Sequence, residues 1–478
     1  MDAAGRRAEN PARRAGTETP KPRGLHPLET QASRPAATSP SARRDFLRQA
    51  AAAAAVTSTV GGVAAAAEDK PGVRRLAMVG TGNRGVRAWA VPIAKDYADS
   101  VEFVGLCDAN PERAELAREL IGTRAPAFTD FDKMLRETRP QTVIVTTVDG
   151  VHADYVCRAM EFGCDVLCEK PLCTEANQAQ AIIDTQRRTG RTLTVTFNAR
   201  FGSAAMQVKE LLQAGTIGEI LEVNYDEFLD RRHGADYFRR WHAFKQNSGT
   251  LLCHKASHQF DQLNWWIGSD PVEVMAYGRL AVYGHNGPFR HSHCRPCPFK
   301  GRCEFHWDVT KDEDAMRMYV ACEDQDGYLR DGCVFRPGID VPDTVTTQIR
   351  YAAGPLVCYS LNAAVPYEGQ FVVFNGTKGR IELREFDSQP WEVPASSEIR
   401  VTTTDGATRL IPVQTKGPGH GGADKRLRDA IFRPAGADPL GQRAGMREGL
   451  LSSLVGIAGY TSIAERRPVR IADLVRWG

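Results

Sequence analysis

No stretch of these 478 residues is apolar for long enough to cross a bilayer. The uncharged run Gln49–Ala67 is rich in alanine and broken by Gly61 and Gly62, too weakly apolar for a stable span. Neither sign of charge dominates: 61 Lys and Arg face 58 Asp and Glu, a net of +3. The first 72 residues hold 11 of the basic and 7 of the acidic groups, which leaves 50 against 51 for the rest. A body so near neutrality argues against a nucleic-acid surface. No internal repeat is present. What remains is an ordinary globular composition, 42% hydrophobic and 25% charged, with room for two domains and a large core.

Residues 1–42 are rich in Pro, Ala, Arg and Thr without apolar periodicity, so they cannot build a core. Ala42-Arg43-Arg44-Asp45-Phe46-Leu47-Arg48 follows, then the uncharged run, with Ala65 and Ala67 just before Glu68. This pattern resembles a twin-arginine export signal cut near Glu68, which implies a periplasmic or otherwise exported protein. A cytoplasmic protein with an unfolded tail is the alternative. Residues 1–72 are read as this leader.

From Val73 the pattern alternates. Strands are expected at Arg75–Val79, Val101–Cys107, Val143–Thr147, Asp165–Cys168 and Leu193–Phe197. Helices are expected over Arg84–Lys95, Pro111–Ile121, His152–Phe162 and Glu175–Thr189. That order predicts an α/β domain over 73–198, a parallel doubly wound sheet of the dinucleotide-binding kind. Beyond Asn198 strand-like runs follow one another with fewer helices: Ile220–Phe228, Pro271–Ala281, Thr344–Tyr351, Pro355–Asn362, Phe371–Asn375, Gly379–Leu383 and Arg400–Thr404. These predict an α+β domain over 199–478 on a largely antiparallel open sheet. Helices over Asp424–Phe432 and Met446–Ala464 close it, and residues 284–310 form an insertion rich in Gly, Pro, Cys and His.

Gly80-Thr81-Gly82-Asn83-Arg84-Gly85 lies between the first expected strand and its helix. Gly80 suits a tight turn, Gly82 lets backbone approach a pyrophosphate, and Gly85 allows close helix packing. Asp108 ends the next strand, where a carboxylate accepts from ribose hydroxyls and repels a 2′-phosphate. NAD is therefore expected, with NADP kept open by the nearby Arg113. Asp108 as the N-cap of the helix starting at Pro111 is the structural alternative. Farther on, Lys170 follows the apolar strand Val166–Cys168 and precedes Pro171, so it sits at the end of a strand of the same sheet rather than on a solvated face.

The glycine turn, Thr146-Thr147-Val148-Asp149 leading to His152, Glu169-Lys170-Pro171, Asn198 with Arg200-Phe201, and His254, His258 and Asp261 together resemble the Gfo/Idh/MocA oxidoreductases. The resemblance runs from about Val73 to the C-terminus. It implies a Rossmann domain followed by an open sheet whose face forms a substrate pocket and a homo-oligomer interface. It implies hydride transfer between nicotinamide and a hydroxyl of a sugar, sugar derivative or cyclitol. By position, Thr81, Asn83, Arg84, Thr146, Thr147, His152, Glu169, Lys170 and Asn198 join the glycines and Asp108 at the coenzyme.

Lys170 would also orient the reacting hydroxyl and share its proton transfer, its pKa lowered by burial and a cationic ring. His258 matches the family's acid/base histidine. His254 stands where most relatives carry Asp. Leu251–Asp261 reads as one helix, which puts His254, His258 and Asp261 on a single face. Two histidines one turn apart also read as a metal pair or as simple hydrogen-bonded neighbours. Arg240 and Trp241 are candidates to bind substrate hydroxyls and a sugar ring. His420, in a glycine-rich turn before Asp424, reads as a helix start or a pocket wall.

Of the 12 cysteines, most lie singly in apolar elements and read as core. Cys294, Cys297 and Cys303, with His291, His293 and His306 nearby, form a cluster in the insertion. With Cys333 as fourth ligand (Cys322 or His306 being alternatives) this resembles a structural zinc knuckle; disulfides or free thiols compete. Three functions stay open: an NAD(P)-dependent dehydrogenase of a carbohydrate or cyclitol, an NAD-dependent glycosidase working by transient oxidation and elimination, and a non-catalytic sensor of sugar and dinucleotide.

Overall fold

The computed structural model describes residues 72–392, 397–413, 420–434 and 436–477. The leader, with its arginine pair, lies outside them. Two sheets organise what is described. The first begins with β1 (Arg74–Val79), β2 (Val101–Cys107), β3 (Ala127–Phe128), β4 (Thr142–Val145), β5 (Asp165–Cys168) and β6 (Leu193–Val195). The second takes β7 (Ile220–Asp230), β8 (Pro271–Arg279), β9 (Thr344–Tyr351), β10 (Leu356–Val365), β11 (Glu368–Gly376), β12 (Gly379–Ser388), β13 (Ser397–Thr403) and β14 (Thr408–Val413). Two short late strands, β15 (Ala444–Gly445) and β16 (Val469–Arg470), add one edge to each.

The first sheet runs β15-β6-β5-β4-β1-β2-β3, all parallel except β15. The chain winds outward from β1 through β2 to β3, then returns to lay β4 on the other side of β1. The crevice beyond β1 and β4 is therefore the point where strand order reverses, the usual ligand position in such sheets. All four residues of β4 are buried, as expected for a strand covered on both faces. The second sheet runs β14-β13-β12-β11-β7-β10-β9-β8-β16 and is antiparallel apart from the β7–β10 pair. Both sheets are those expected from the sequence.

Some expectations change at the edges. The strands expected to reach Thr147 and Phe197 stop at Val145 and Val195. Thr146 and Thr147 leave the ladder to line a cavity. Strands of two residues, and β14 with its exposed edge, offer no period to read. Asn110, not Asp108, caps the helix Pro111–Ile121, its side chain accepting from Arg113 N at 3.1 Å. The segment Leu251–Asp261 is two helices, Leu251–His254 and Ser257–Ile267. A bond from Ala256 N to Leu251 O, at 2.9 Å, spans five residues and inserts an extra position into the turn. The face assumed for a single helix is thereby broken.

Asp261 consequently turns into the core. It is fully buried and accepts from Arg200 Nε and Nη2, each at 2.7 Å. Arg200 also donates to the carbonyl of Gly441 at 3.0 Å and lies near the Trp265 ring. Burial opposes the charged guanidinium, but the Asp261 carboxylate outweighs it and holds Arg200 above its ordinary pKa. Removing one partner strands the other in a dry site, which costs about 3–5 kcal/mol. Arg200→Leu should therefore lower the unfolding free energy by about that much, measured by urea titration. An unchanged midpoint would show that the pair contributes nothing.

Candidate active site

The glycine turn is shaped by what faces it. Gly80 has φ of 87°, and a Cβ there would stand 2.6 Å from the Thr146 carbonyl. A Cβ on Gly85 would stand 2.5 Å from the carbonyl oxygen of Gly80. Thr146 Oγ1 donates to that same oxygen at 2.5 Å and Thr146 N to Val79 O at 2.9 Å, so the ends of β1 and β4 are locked together. Asp108 is buried at the end of β2. Its Oδ2 accepts from Thr81 N at 2.8 Å and Thr81 Oγ1 at 3.1 Å; its Oδ1 accepts from Asn110 N at 2.9 Å and Arg113 Nη1 at 3.1 Å.

A segment from the second half of the chain crosses this turn. Tyr319 Oη accepts from Asn83 N at 2.9 Å. Asn110 Nδ2 donates to Cys322 O at 2.8 Å, and Arg113 reaches Met318 O at 3.2 Å and Asp326 at 2.7 Å. Arg87 and Asp314 form a further ion pair there. Nothing in the spacing of residues 309–328 announced this crossing.

Glu169, at the end of β5, joins the turn's helix to the sheet. Its Oε1 accepts from Arg84 Nε at 2.7 Å and from Trp89 Nε1 at 2.8 Å. Burial would raise this carboxyl, but Arg84 and Trp89 hold it below its usual value. Asn198 donates to Asp424 at 2.7 Å, and His420 Nδ1 lies 2.9 Å from the same carboxylate. His152 is a brace rather than an open group: Nδ1 lies 2.7 Å from Pro171 O and Nε2 3.1 Å from Thr147 O.

Lys170 stands next, half-buried, its peptide bond to Pro171 in the cis form. Nζ donates to the carbonyl of His254 at 2.7 Å. Burial pushes the amine down to about 8, against the pull of Asp149 and Glu169. His254 Nδ1 meets Asp149 Oδ2 at 2.6 Å. His258 packs its ring edgewise on Phe197, and its buried Nδ1 has no partner. Burial and the charge of Lys170 drive both histidines well below the ordinary imidazole value. Trp241 stacks on His242 and sits edge-on to His254, while Arg240 pairs with Asp236 at 2.9 Å.

Every expected coenzyme, substrate and acid/base residue except Thr81 and Gly85 lines one cavity of about 1320 Å³, as does His420, while Asp261 does not. Its far wall comes from the second sheet. Along β7 the inward positions run Val223, Tyr225, Glu227 and Leu229, and Glu227 is buried. Glu227 pairs across the sheet with Gln370 of β11, and Gln370 with Glu385 of β12, forming one polar row. Lys255 lies 2.9 Å from Glu227, and Gln259 donates to it at 3.2 Å while its own Oε1 is left without a partner. The sequence contained a signal for this wall: acid or amide occupying the apolar phase of three strands. Asp149, Tyr237 and His242 line the cavity too and were not singled out as site residues.

The residues present fit a dinucleotide: a turn at the switch point whose Gly80 and Gly85 leave no room for a Cβ, a carboxylate at the end of β2, and room beyond β1 and β4. Metal is another matter. Among the described residues no group of three or more His, Cys, Asp or Glu side chains is placed to hold an ion. The expected zinc set of Cys294, Cys297, Cys303 and Cys333 is therefore corrected to free thiols, and no disulfide joins them. Burial raises the Cys294 and Cys303 thiols, which favours their protonated form. The pairing of His254 with Asp149 likewise replaces the metal pair considered for His254 and His258.

The profile of an oxidoreductase family with an NAD-binding Rossmann fold matches residues 74–197, and that of the same family's C-terminal alpha/beta domain matches 209–471. The protein YteT of Bacillus subtilis is 31% identical over 425 residues, covering 84% of this chain and 99% of YteT. D-glucoside 3-dehydrogenase of Escherichia coli is 31% identical over 146 residues, 30% of this chain and 41% of that one. Among solved structures, levoglucosan dehydrogenase with NADH and levoglucosan superposes with a TM-score of 0.60 at 19% identity, over 83% of this chain and 99% of that one. At that identity the likeness speaks for the fold. The chain belongs to the Gfo/Idh/MocA family of oxidoreductases.

Proposed function

We propose that this protein is an NAD-dependent dehydrogenase acting on a hydroxyl of a neutral sugar, sugar derivative or cyclitol. One observation carries the reading. A half-buried lysine and two imidazoles meet at the end of the coenzyme crevice, facing a wall rich in hydrogen-bond acceptors. Bound NAD supplies the acceptor for the two electrons. The glycine turn, Thr81 and Arg84 would hold its phosphates, and Asp108 its adenosine ribose. The row Glu227, Gln370 and Glu385, with Gln259 and Gln262, suits a ligand carrying many hydroxyl donors. Lys170 donates to the oxygen of the reacting hydroxyl, and an imidazole of His254 or His258 accepts its proton.

The similarity to D-glucoside 3-dehydrogenase supports a carbohydrate substrate. Similarity to a family 109 glycosyl hydrolase protein of Akkermansia muciniphila, 27% identical over 198 residues, keeps the glycosidase route as a second reading. Asp108, already tied to Thr81 and Arg113, favours NAD over NADP; Asp326, paired with the same Arg113, adds a second carboxylate there. Export through the arginine pair of the leader, and pairing of two copies through the uncovered sheet face that exposes Tyr277 and Leu356, complete the proposal.

Purified protein with NAD and a panel of monosaccharides, cyclitols and aryl glycosides tests this directly. NADH should accumulate with at least one neutral polyol. Aglycone release without net NADH would replace the dehydrogenase by the glycosidase reading, and binding without either would leave a sensor. A second expectation concerns pH. Below about 8 Lys170 keeps its proton, and its charge opposes a further proton entering the cavity. The kcat/KM for oxidation should therefore rise as pH passes about 8. In Lys170→Met that limb should vanish and activity fall by about 10²–10⁴-fold. A third concerns the coenzyme: Asp108→Ser should weaken NAD by roughly tenfold or more and narrow its advantage over NADP, read by titrating both.

A further inference from the structure

Two histidines face the cavity, and the surroundings of each differ in one respect. His258 Nδ1 is buried with no partner, so among the described residues no hydrogen bond to Nδ1 fixes the tautomer of this ring. His254 Nδ1 lies 2.6 Å from Asp149 Oδ2, and its Nε2 has no protein partner among the described residues. Asp149 is 2% exposed; burial pushes its carboxyl well above the usual carboxylate range, against the pull of Lys170 and Arg240, and His254 Nδ1 is its side-chain hydrogen-bond partner among the described residues. An imidazole held at Nδ1–H by a carboxylate presents a lone pair at Nε2 and is stabilised when it becomes imidazolium. A base oriented in turn by a third group is the recurring sign of proton transfer.

We propose that His254 is the base that takes the hydroxyl proton, and that Asp149 is its positioning residue, fixing Nδ1–H and facing the positive charge that forms. This rests on the dehydrogenase reading. The step is a two-electron oxidation of a carbinol to a carbonyl: the O–H bond breaks toward His254 Nε2 while the electron pair of the C–H bond leaves with its hydrogen for the nicotinamide. Lys170, already bonded to the His254 carbonyl, holds the oxygen, and His258 serves as a second donor to the substrate. The carboxylate that relatives are expected to carry on the helix at position 254 is here supplied from the loop after β4, on the coenzyme-bearing sheet. It reaches the same place from the opposite side.

The groups that face the His254 ring come from every element around it. Asp149 lies after β4 and Lys170 after β5; His242, Trp241 and Tyr237 come from 231–243; Arg240 and His258 complete the set. Lys170, Arg240 and the other histidines all oppose a charge on the ring, and Asp149 is the carboxylate in contact with it.

The first test needs no coenzyme and no substrate. In protein carrying 15N-labelled histidine, with the signal assigned by its loss in His254→Gln, His254 should show a protonated Nδ1 and a bare Nε2. The opposite tautomer in the native protein would overturn the proposal whether or not any Asp149 variant folds. The second test is kinetic. Asp149→Asn should lower kcat by at least about 100-fold while KM and NAD affinity stay within about threefold, and Asp149→Glu should recover part of the loss. Asp149→Asn with unaltered kcat would also overturn it. A native protein that turns over no polyol but shows the expected tautomer would sink the dehydrogenase reading and leave the Asp149–His254 pairing standing.

Discussion

A half-buried ammonium group at the end of a parallel strand is the constraint around which this site is arranged. Lys170 cannot stay there without help, since desolvation opposes its charge. Help comes from three directions: Asp149 beyond β4, Glu169 beside it in the chain, and the carbonyl of His254 from the other half of the molecule. Each helper has a second task. Glu169 fastens the helix of the glycine turn through Arg84 and Trp89, and Asp149 holds the ring of His254. The residues that make the lysine tolerable are therefore the ones that set coenzyme and substrate against each other.

The two sheets divide the labour. The parallel sheet supplies a crevice where strand order reverses, with a glycine-rich turn and a carboxylate one strand away. The antiparallel sheet supplies a polar wall, because three neighbouring strands exchange an apolar inward residue for Glu227, Gln370 and Glu385 in one register row. The broken helix at Leu251–Ile267 lies between them. Its extra residue lets His254 and His258 face the cavity while Asp261 enters the core to meet Arg200. A continuous helix would have had to place all three on one side.

Local order was legible where chemistry and period agree. β2, β5, β9 and the helix Pro111–Ile121 have the limits their residue patterns imply, and the glycine turn, Asp108, Glu169 and Lys170 sit where a doubly wound sheet requires. Helical spacing failed at His254 and Asp261, because one wide turn changes the phase and no residue type marks such a turn. Spacing failed again at the insertion, where Cys294, Cys297 and Cys303, with Cys333 farther along the chain, read as a ligand set and yet no metal-binding group forms among the described residues. The crossing of Tyr319 over the turn depends on contacts between distant segments, Asn83 with Tyr319 and Arg113 with Asp326, that no local pattern carries. Glu227 lay within reach of the sequence: an acid in the apolar phase of a strand is either an error of register or part of a site.

The most direct test of the account is a crystal structure of the protein grown with NAD. The account predicts coenzyme lying across the ends of β1 and β4, its ribose at Asp108 and its nicotinamide end against Lys170 and the two histidines. Coenzyme absent from that crevice, or bound with its nicotinamide turned away from Lys170, would contradict it.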